Sequence, residues 1–325
     1  MNQVRLPRLS ALQRYIVRRH DSRALMAAAT ILGPRQLFRS FMRLSAVEPL
    51  HWLGRRAALT LSFDCDYLKD IEAFPQVLDL LRRHQIRASF AVVGYWVERY
   101  PDLHRRLVDD GHEILNHTYS HPDNDEINPG RKFRLISRGE KKEELTRAHE
   151  IVQRVMGVEC TGCRIPHFKD LFTPDIYGIL REMGYRFDSS TLMTGVSGGG
   201  RPYLAKEGIW EFPLTTCPKH PLTVLDTWHS LHVGHPFYRL SHNTAREFVA
   251  LVWESVAAAL EFGGYVNLYL DPWDVPALDG FSDVLARVKE RSDELEILLY
   301  GDILPRLENG APARSRPGAG QAGAR

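Results

Sequence analysis

From residue 58 onward, short apolar runs and amphipathic stretches take turns along the chain. Residues 58–63 are mostly apolar and end in acids, and Val77, Leu78, Leu80 and Leu81 follow at helical spacing. A second strand is predicted at 88–93, and a helical stretch over 103–108 leads into Glu113-Ile114-Leu115. Further strand-like runs fall at 160–165, 185–187, 209–212, 265–270 and 297–299. Helical patterns at 139–156, 173–183, 243–259 and 279–292 separate several of them. Alternation of this kind over about 250 residues predicts an α/β fold, either a barrel or a doubly wound sheet. The polar residues gather where strands end, which favours the barrel.

The first 57 residues read as short helices. Asp21 is placed to cap a helix that stops at Gly33, and Pro34 to open the next. In that second helix Leu37, Phe41 and Leu44 share one face, while Arg35, Arg39 and Arg43 share another. Two readings fit: a basic helix making peripheral contact with an anionic membrane, or an extra helix packed on the main domain. Residues 310–325 lack apolar bulk and are expected to be disordered. The chain thus divides into an Arg-rich helical extension (1–57), an α/β domain (58–309) and a tail (310–325).

Charge sharpens that division. The overall +2 conceals an extension with eleven Arg, no Lys and two acids, a net of +9. Residues 58–309 hold 28 basic and 38 acidic side chains, a net of −10, and the tail adds three Arg. An acidic body is a poor nucleic-acid binder, because phosphate contacts need Lys and Arg. No apolar run approaches the roughly 20 residues of a membrane-spanning helix. Residues 24–32, behind Arg18, Arg19 and Arg23, have the outline of an export signal. Gly33-Pro34-Arg35 stands where the cleavage site would lie, so a cytoplasmic address is expected, at or near the inner membrane face. Four cysteines are too few for a disulfide scaffold; Cys160 and Cys163 have no second pair and read as buried thiols.

Two features carry chemistry. The first strand ends in Ser62-Phe63-Asp64-Cys65-Asp66, and Asn116-His117-Thr118-Tyr119-Ser120-His121 follows about fifty residues later. Two neutral imidazoles and one carboxylate make a three-ligand set for a catalytic divalent ion, and the second carboxylate is left to accept a proton. Each motif alone is weak. Both standing at strand ends of one domain is the stronger signal.

With Arg164-Ile165-Pro166 as a third motif, residues 58–300 resemble the polysaccharide deacetylases with a NodB homology domain, carbohydrate esterase family 4. The resemblance implies an irregular (β/α) barrel of the NodB type behind the helical extension. It implies an enzyme, a hydrolase that removes N-acyl groups, typically N-acetyl, from a carbohydrate or glycan; the expected address at the inner membrane face adds lipid-linked glycan precursors as candidate substrates. Asp66, His117 and His121 would hold the metal, zinc or else cobalt or another transition ion. Asp64 would be the general base, with Arg164 holding it ionised. Pro166, His167, Trp228 and Trp273 would line the substrate site.

One departure stands out. The family ends a late strand with Leu-x-His, and that His protonates the leaving amine; here the run is Leu268-Tyr269-Leu270-Asp271, with Asp271 in its place. Three readings follow. Asp271 is itself the acid; a His such as His229, beside Asp226, substitutes for it; or turnover is impaired and the protein only binds glycan. A fourth possibility keeps the chemistry and changes the substrate to a non-sugar, cyclic amide.

Overall fold

The computed structural model describes residues 9–46, 54–166, 173, 175–196, 198–233 and 243–310. Its layout follows from the first strand, β1 (Ala57–Cys65), which is buried along its whole length. Successive side chains of a strand point to opposite faces. Leu59, Leu61, Phe63 and Cys65 pack under the outer helices, while Ala58 joins a separate inner cluster. The intervening even-numbered residues Thr60, Ser62 and Asp64 are polar and buried on that inner side.

Eight further strands complete the sheet: β2 (Ser89–Val92), β3 (Glu113–Asn116), β4 (Gly162–Cys163), β5 (Phe187–Asp188), β6 (Tyr203–Leu204), β7 (Trp210–Glu211), β8 (Tyr265–Leu270) and β9 (Leu295–Ile297). Their order is β6-β7-β5-β4-β3-β2-β1-β8, all neighbours parallel except β6 with β7. One edge of β1 is shared: β9 pairs with Ala57–Leu59 and β2 with Ser62–Cys65. Helices such as Phe74–His84, Arg138–Met156 and Ala245–Phe262 connect the strands. The sheet curls into an open half-barrel, the α/β architecture expected. Helix Tyr300–Gly310 fills the curl, with Tyr300, Ile303, Leu304 and Leu307 packed on Ala58, Ala91, Leu115, Phe187 and Phe212.

The extension forms three helices, α1 (Ala11–Arg18), α2 (Arg23–Leu32) and α3 (Pro34–Ser45). Ser22, not Asp21, caps α2, because its side chain accepts from the Leu25 amide. Leu37, Phe38, Phe41 and Met42 are buried in the same core as β1 and helix Ala245–Phe262. The Arg face of α3 also meets the body: Arg35 pairs with Glu254 and Arg39 with Glu261, while Arg39 and Arg43 lie over the Phe262 ring. Of the tail, only Gly310 lies within the described residues.

Candidate active site

The C-terminal ends of β1, β3, β4 and β8 bring the sequence motifs together. Asp64, the last inward residue of β1, accepts from the Arg164 Nη1 at 2.5 Å. Arg164 follows β4 and is fully buried. Its remaining donors reach Ser189 O (2.9 Å), Ser62 Oγ (3.1 Å), Ser189 Oγ (3.2 Å) and Tyr300 Oη (2.7 Å). A buried guanidinium is tolerable only with its donors satisfied and a counter-charge beside it. Burial pushes the Asp64 carboxyl up and Asp66 adds to this, while Arg164 and His117 oppose it.

Asp66 lies just beyond β1, its amide held with that of Tyr67 by the carboxylate of Asp70 (3.1 and 2.9 Å). Its own carboxylate faces two imidazoles: Oδ1 is 3.0 Å from His117 Nε2, and Oδ2 is 3.4 Å from His121 Nε2. The His117–His121 segment is a loop beyond β3, with Thr118 and His121 at φ of 67° and 45°. Local hydrogen bonds hold this left-handed backbone. Asn116 Oδ1 accepts from the Thr118 amide (2.8 Å), Thr118 Oγ1 from the His121 amide (3.1 Å), and Glu144 from the amide and hydroxyl of Ser120 (2.8 and 2.7 Å).

Ligand atoms of Asp66, His117 and His121 all lie within 4.8 Å of one another. His117 Nδ1 donates to the Arg164 carbonyl at 2.6 Å, which leaves the Nε2 lone pair facing Asp66. Donors on one tetrahedral ion at about 2.1 Å sit about 3.4 Å apart. The donor set, its spacing and the fixed tautomer fit a divalent transition metal.

The far rim is built by β8 and the Asp226–His232 segment. Asp271 is buried at the end of β8; its Oδ2 accepts from Thr227 Oγ1 (2.6 Å) and the Trp228 amide (2.9 Å). Burial first, then Asp70, Asp226 and Asp66, push its carboxyl well above the usual range, with Thr227 opposing. The expected Asp226–His229 pair is present: His229 Nδ1 donates to Asp226 at 2.5 Å, and Tyr269 Oη donates to the same carboxylate. Trp228 and Trp273 are half-buried at the rim rather than in the core. Trp228 stacks on Tyr67 with ring centres 5.9 Å apart, and Lys69 Nζ lies 3.4 Å over Trp273. Pro166 is buried beyond Arg164, and His167 lies outside the described residues.

Several contributors carry no motif. Asp70 reads in sequence as a helix-start acid, yet it is fully buried and also accepts from the Trp273 amide (3.3 Å), joining the two rims. Tyr300 sits in a run punctuated by Gly301 and Pro305, and Glu144 in a charged helix. Cys65 lies between Asp64 and Asp66 in sequence but points outward; burial, with Asp70 and other acids, pushes its thiol well up, which disfavours a reactive thiolate.

The fold and this centre define an α/β half-barrel with a two-His, one-Asp cluster and a buried Asp–Arg pair. Residues 54–187 match the family described as polysaccharide deacetylase. That segment is a polysaccharide deacetylase domain of the NodB type, carbohydrate esterase family 4. A peptidoglycan-N-acetylglucosamine deacetylase of Bacillus cereus is 31% identical over 112 residues, 34% of this chain and 37% of the relative. The chain therefore spans well under half the length of that curated relative. In overall fold it is similar to a protein described as a polysaccharide deacetylase from Mycobacterium smegmatis (TM-score 0.67, 22% identity, 83% of this chain and 98% of the other). It is also similar to the Puue allantoinase (TM-score 0.60, 15% identity, 82% and 95%).

Proposed function

We propose that the α/β body, residues 58–309, is a metal-dependent hydrolase that removes N-acetyl or related N-acyl groups from a glycan. The observation that carries this reading is the Asp64–Arg164 pair buried beside the convergent Asp66, His117 and His121. Those three residues would hold a divalent ion, zinc or a similar transition metal, which supplies Lewis-acid polarisation of the acyl carbonyl when bound.

The protein's own groups then divide the proton work. Asp64 accepts the proton of the attacking water, and Arg164 keeps its carboxylate ionised and aimed. His229 gives a proton to the departing amine. Its Nδ1 is committed to Asp226, which fixes the tautomer, and its side chain is 17% exposed and reachable from the rim. Asp271, standing where the family has its acid, is a positioning residue: through Thr227 and Trp228 it straps down the turn that presents His229. Trp228 and Trp273 would line the sugar site from the rim by their exposed edges, since the Trp273 ring is already covered by stacked His232 (ring centres 4.7 Å apart) and by Lys69. A reducing, cytoplasmic address is proposed on cysteine usage, four free thiols and no disulfide framework.

The test is an acetate-release assay of metal-loaded protein on a panel of N-acetylated glycans, with a cyclic ureide as the non-sugar control. Acetate should be released from a glycan, and His117→Ala should lose both metal and turnover while keeping its circular dichroism spectrum. Ring opening of the ureide without acetate release from any glycan would move the protein to cyclic amides. Glycan binding without turnover in the metal-loaded protein would make it a lectin-like descendant.

A further inference from the structure

α1 and α2 turn Val17 and Met26 inward, onto the core they share with α3. Their outer sides depart from the usual pattern of a surface helix, which faces water with charged and polar groups. Of the six large hydrophobic side chains exposed among the described residues, four lie here: Leu12 (67%), Tyr15 (53%), Ile31 (73%) and Leu32 (86%). On α2 the outward residues after Arg23 are Ala24, Ala27, Ala28, Ile31 and Leu32, with no charge among them. On α1, Leu12 and Tyr15 share the exposed side with Arg14, Arg18 and Arg19.

These arginines differ from those of α3. Arg35 and Arg39 are committed to Glu254 and Glu261. Arg14 reaches only the Leu9 carbonyl and Arg19 lies over Tyr15; neither they nor Arg18 and Arg23 form an ion pair among the described residues. The one acid between residues 9 and 46 is Asp21. An apolar face rimmed by uncompensated Arg is complementary to a lipid surface with anionic headgroups. The body, at −10, is repelled by such a surface.

We propose that the outer face of α1 and α2 docks the protein on an anionic bilayer surface, with Leu12, Tyr15, Ile31 and Leu32 in the acyl boundary and the Arg side chains at the phosphates. Docking would hold the catalytic body at the membrane, and its readout needs no turnover.

The experiment is co-sedimentation of the full chain with vesicles of phosphatidylcholine, alone or with one third phosphatidylglycerol. Pelleting should require phosphatidylglycerol and weaken with salt. Arg14→Glu with Arg18→Glu should reduce partitioning by about thirtyfold or more, at roughly fivefold per lost positive charge. Ile31→Glu with Leu32→Glu should reduce it by about tenfold or more. Arg83→Glu, at an exposed position of the body, should change nothing, and all variants should keep the wild-type circular dichroism spectrum. Failure of the wild type to pellet at low salt, or equal pelleting without phosphatidylglycerol, overturns the proposal. So does a dimer in light scattering that the Ile31→Glu, Leu32→Glu variant converts to monomer, since the face would then belong to a second copy.

Discussion

Two carboxylates stand two residues apart at the end of β1, and their surroundings give them different work. Asp64 is the last inward residue of the strand and is bound to a fully buried Arg164; Asp66 lies past the strand against two imidazoles. Under the proposed function Asp64→Asn should therefore keep the metal, because the ligand role is assigned there to Asp66. Turnover should fall by a factor of about 10² or more with the loss of the base. Metal analysis beside the acetate-release rate checks both halves; retained metal with a near-normal rate would reverse the two roles. The acid is separable in the same way. His229→Ala should cost about 10²–10⁴ in kcat. Asp271→Asn should cost under about tenfold, because the Asn oxygen can still accept from Thr227 and Trp228. The opposite ranking would make Asp271 the acid, a role its raised carboxyl is able to play. The motif residues were legible in sequence because each chemistry needs its residue type. Asp70, Glu144 and Tyr300 were not, because they act by holding the backbone or side chains of others at chain separations from 3 to 203 positions.

At the scale of elements, legibility followed length and periodicity. The run at 265–270 became β8 with the same bounds, and the pattern at 139–156 became helix Arg138–Met156, capped by Ser137 and Glu140. β4, β5 and β7 shrank to two residues each, because their strands are paired only briefly before the chain turns toward the site. Helix Tyr300–Gly310 escaped detection because Gly301 and Pro305 are helix-breaking signals. Tertiary contacts override them: the Gly301 amide donates to Glu113 at 2.8 Å, and four apolar residues plug the curl. Helix Pro101–Asp109 carries a titration consequence. His104 is fully buried in it, edge-on to Phe74, with Nδ1 donating to the Tyr100 carbonyl. Burial pushes this imidazole down to about 4, against that hydrogen bond. A depressed folded value means that the neutral ring's stability is fully present above about pH 6.5 and is lost as pH falls toward 4. His104→Asn should be the less stable protein at pH 8. Its deficit should shrink by about 3 kcal/mol as pH falls through that window, measured by urea midpoints. A deficit constant with pH would mean that the folded imidazole titrates normally.

For the molecule as a whole, the open question from sequence was whether the basic extension is a separate appendage. Its charge and texture fitted either a peripheral membrane helix or a helix packed on the main domain, because charge reads surfaces rather than cores. The structure has the packed helix: Leu37, Phe38, Phe41 and Met42 enter the core beneath β1 and helix Ala245–Phe262. The fit is close: a Cβ added to Gly199 would lie 2.5 Å from the Phe41 carbonyl oxygen, and one on Gly264 2.7 Å from the Met42 sulfur. The surface pairs Arg35–Glu254 and Arg39–Glu261 add little, since exposed ion pairs contribute about 0–1 kcal/mol each. Packing must therefore carry the attachment, and the extension and body should unfold together. Phe41→Ala removes a fully buried ring, a change that costs about 3–5 kcal/mol. If the core is shared, tryptophan fluorescence, five of whose six sources (Trp96, Trp210, Trp228, Trp253 and Trp273) lie in the body, should report one urea transition, with its midpoint lowered by that full amount. An independently folded extension predicts a body transition at the wild-type midpoint, so the position of the fluorescence curve decides between the two.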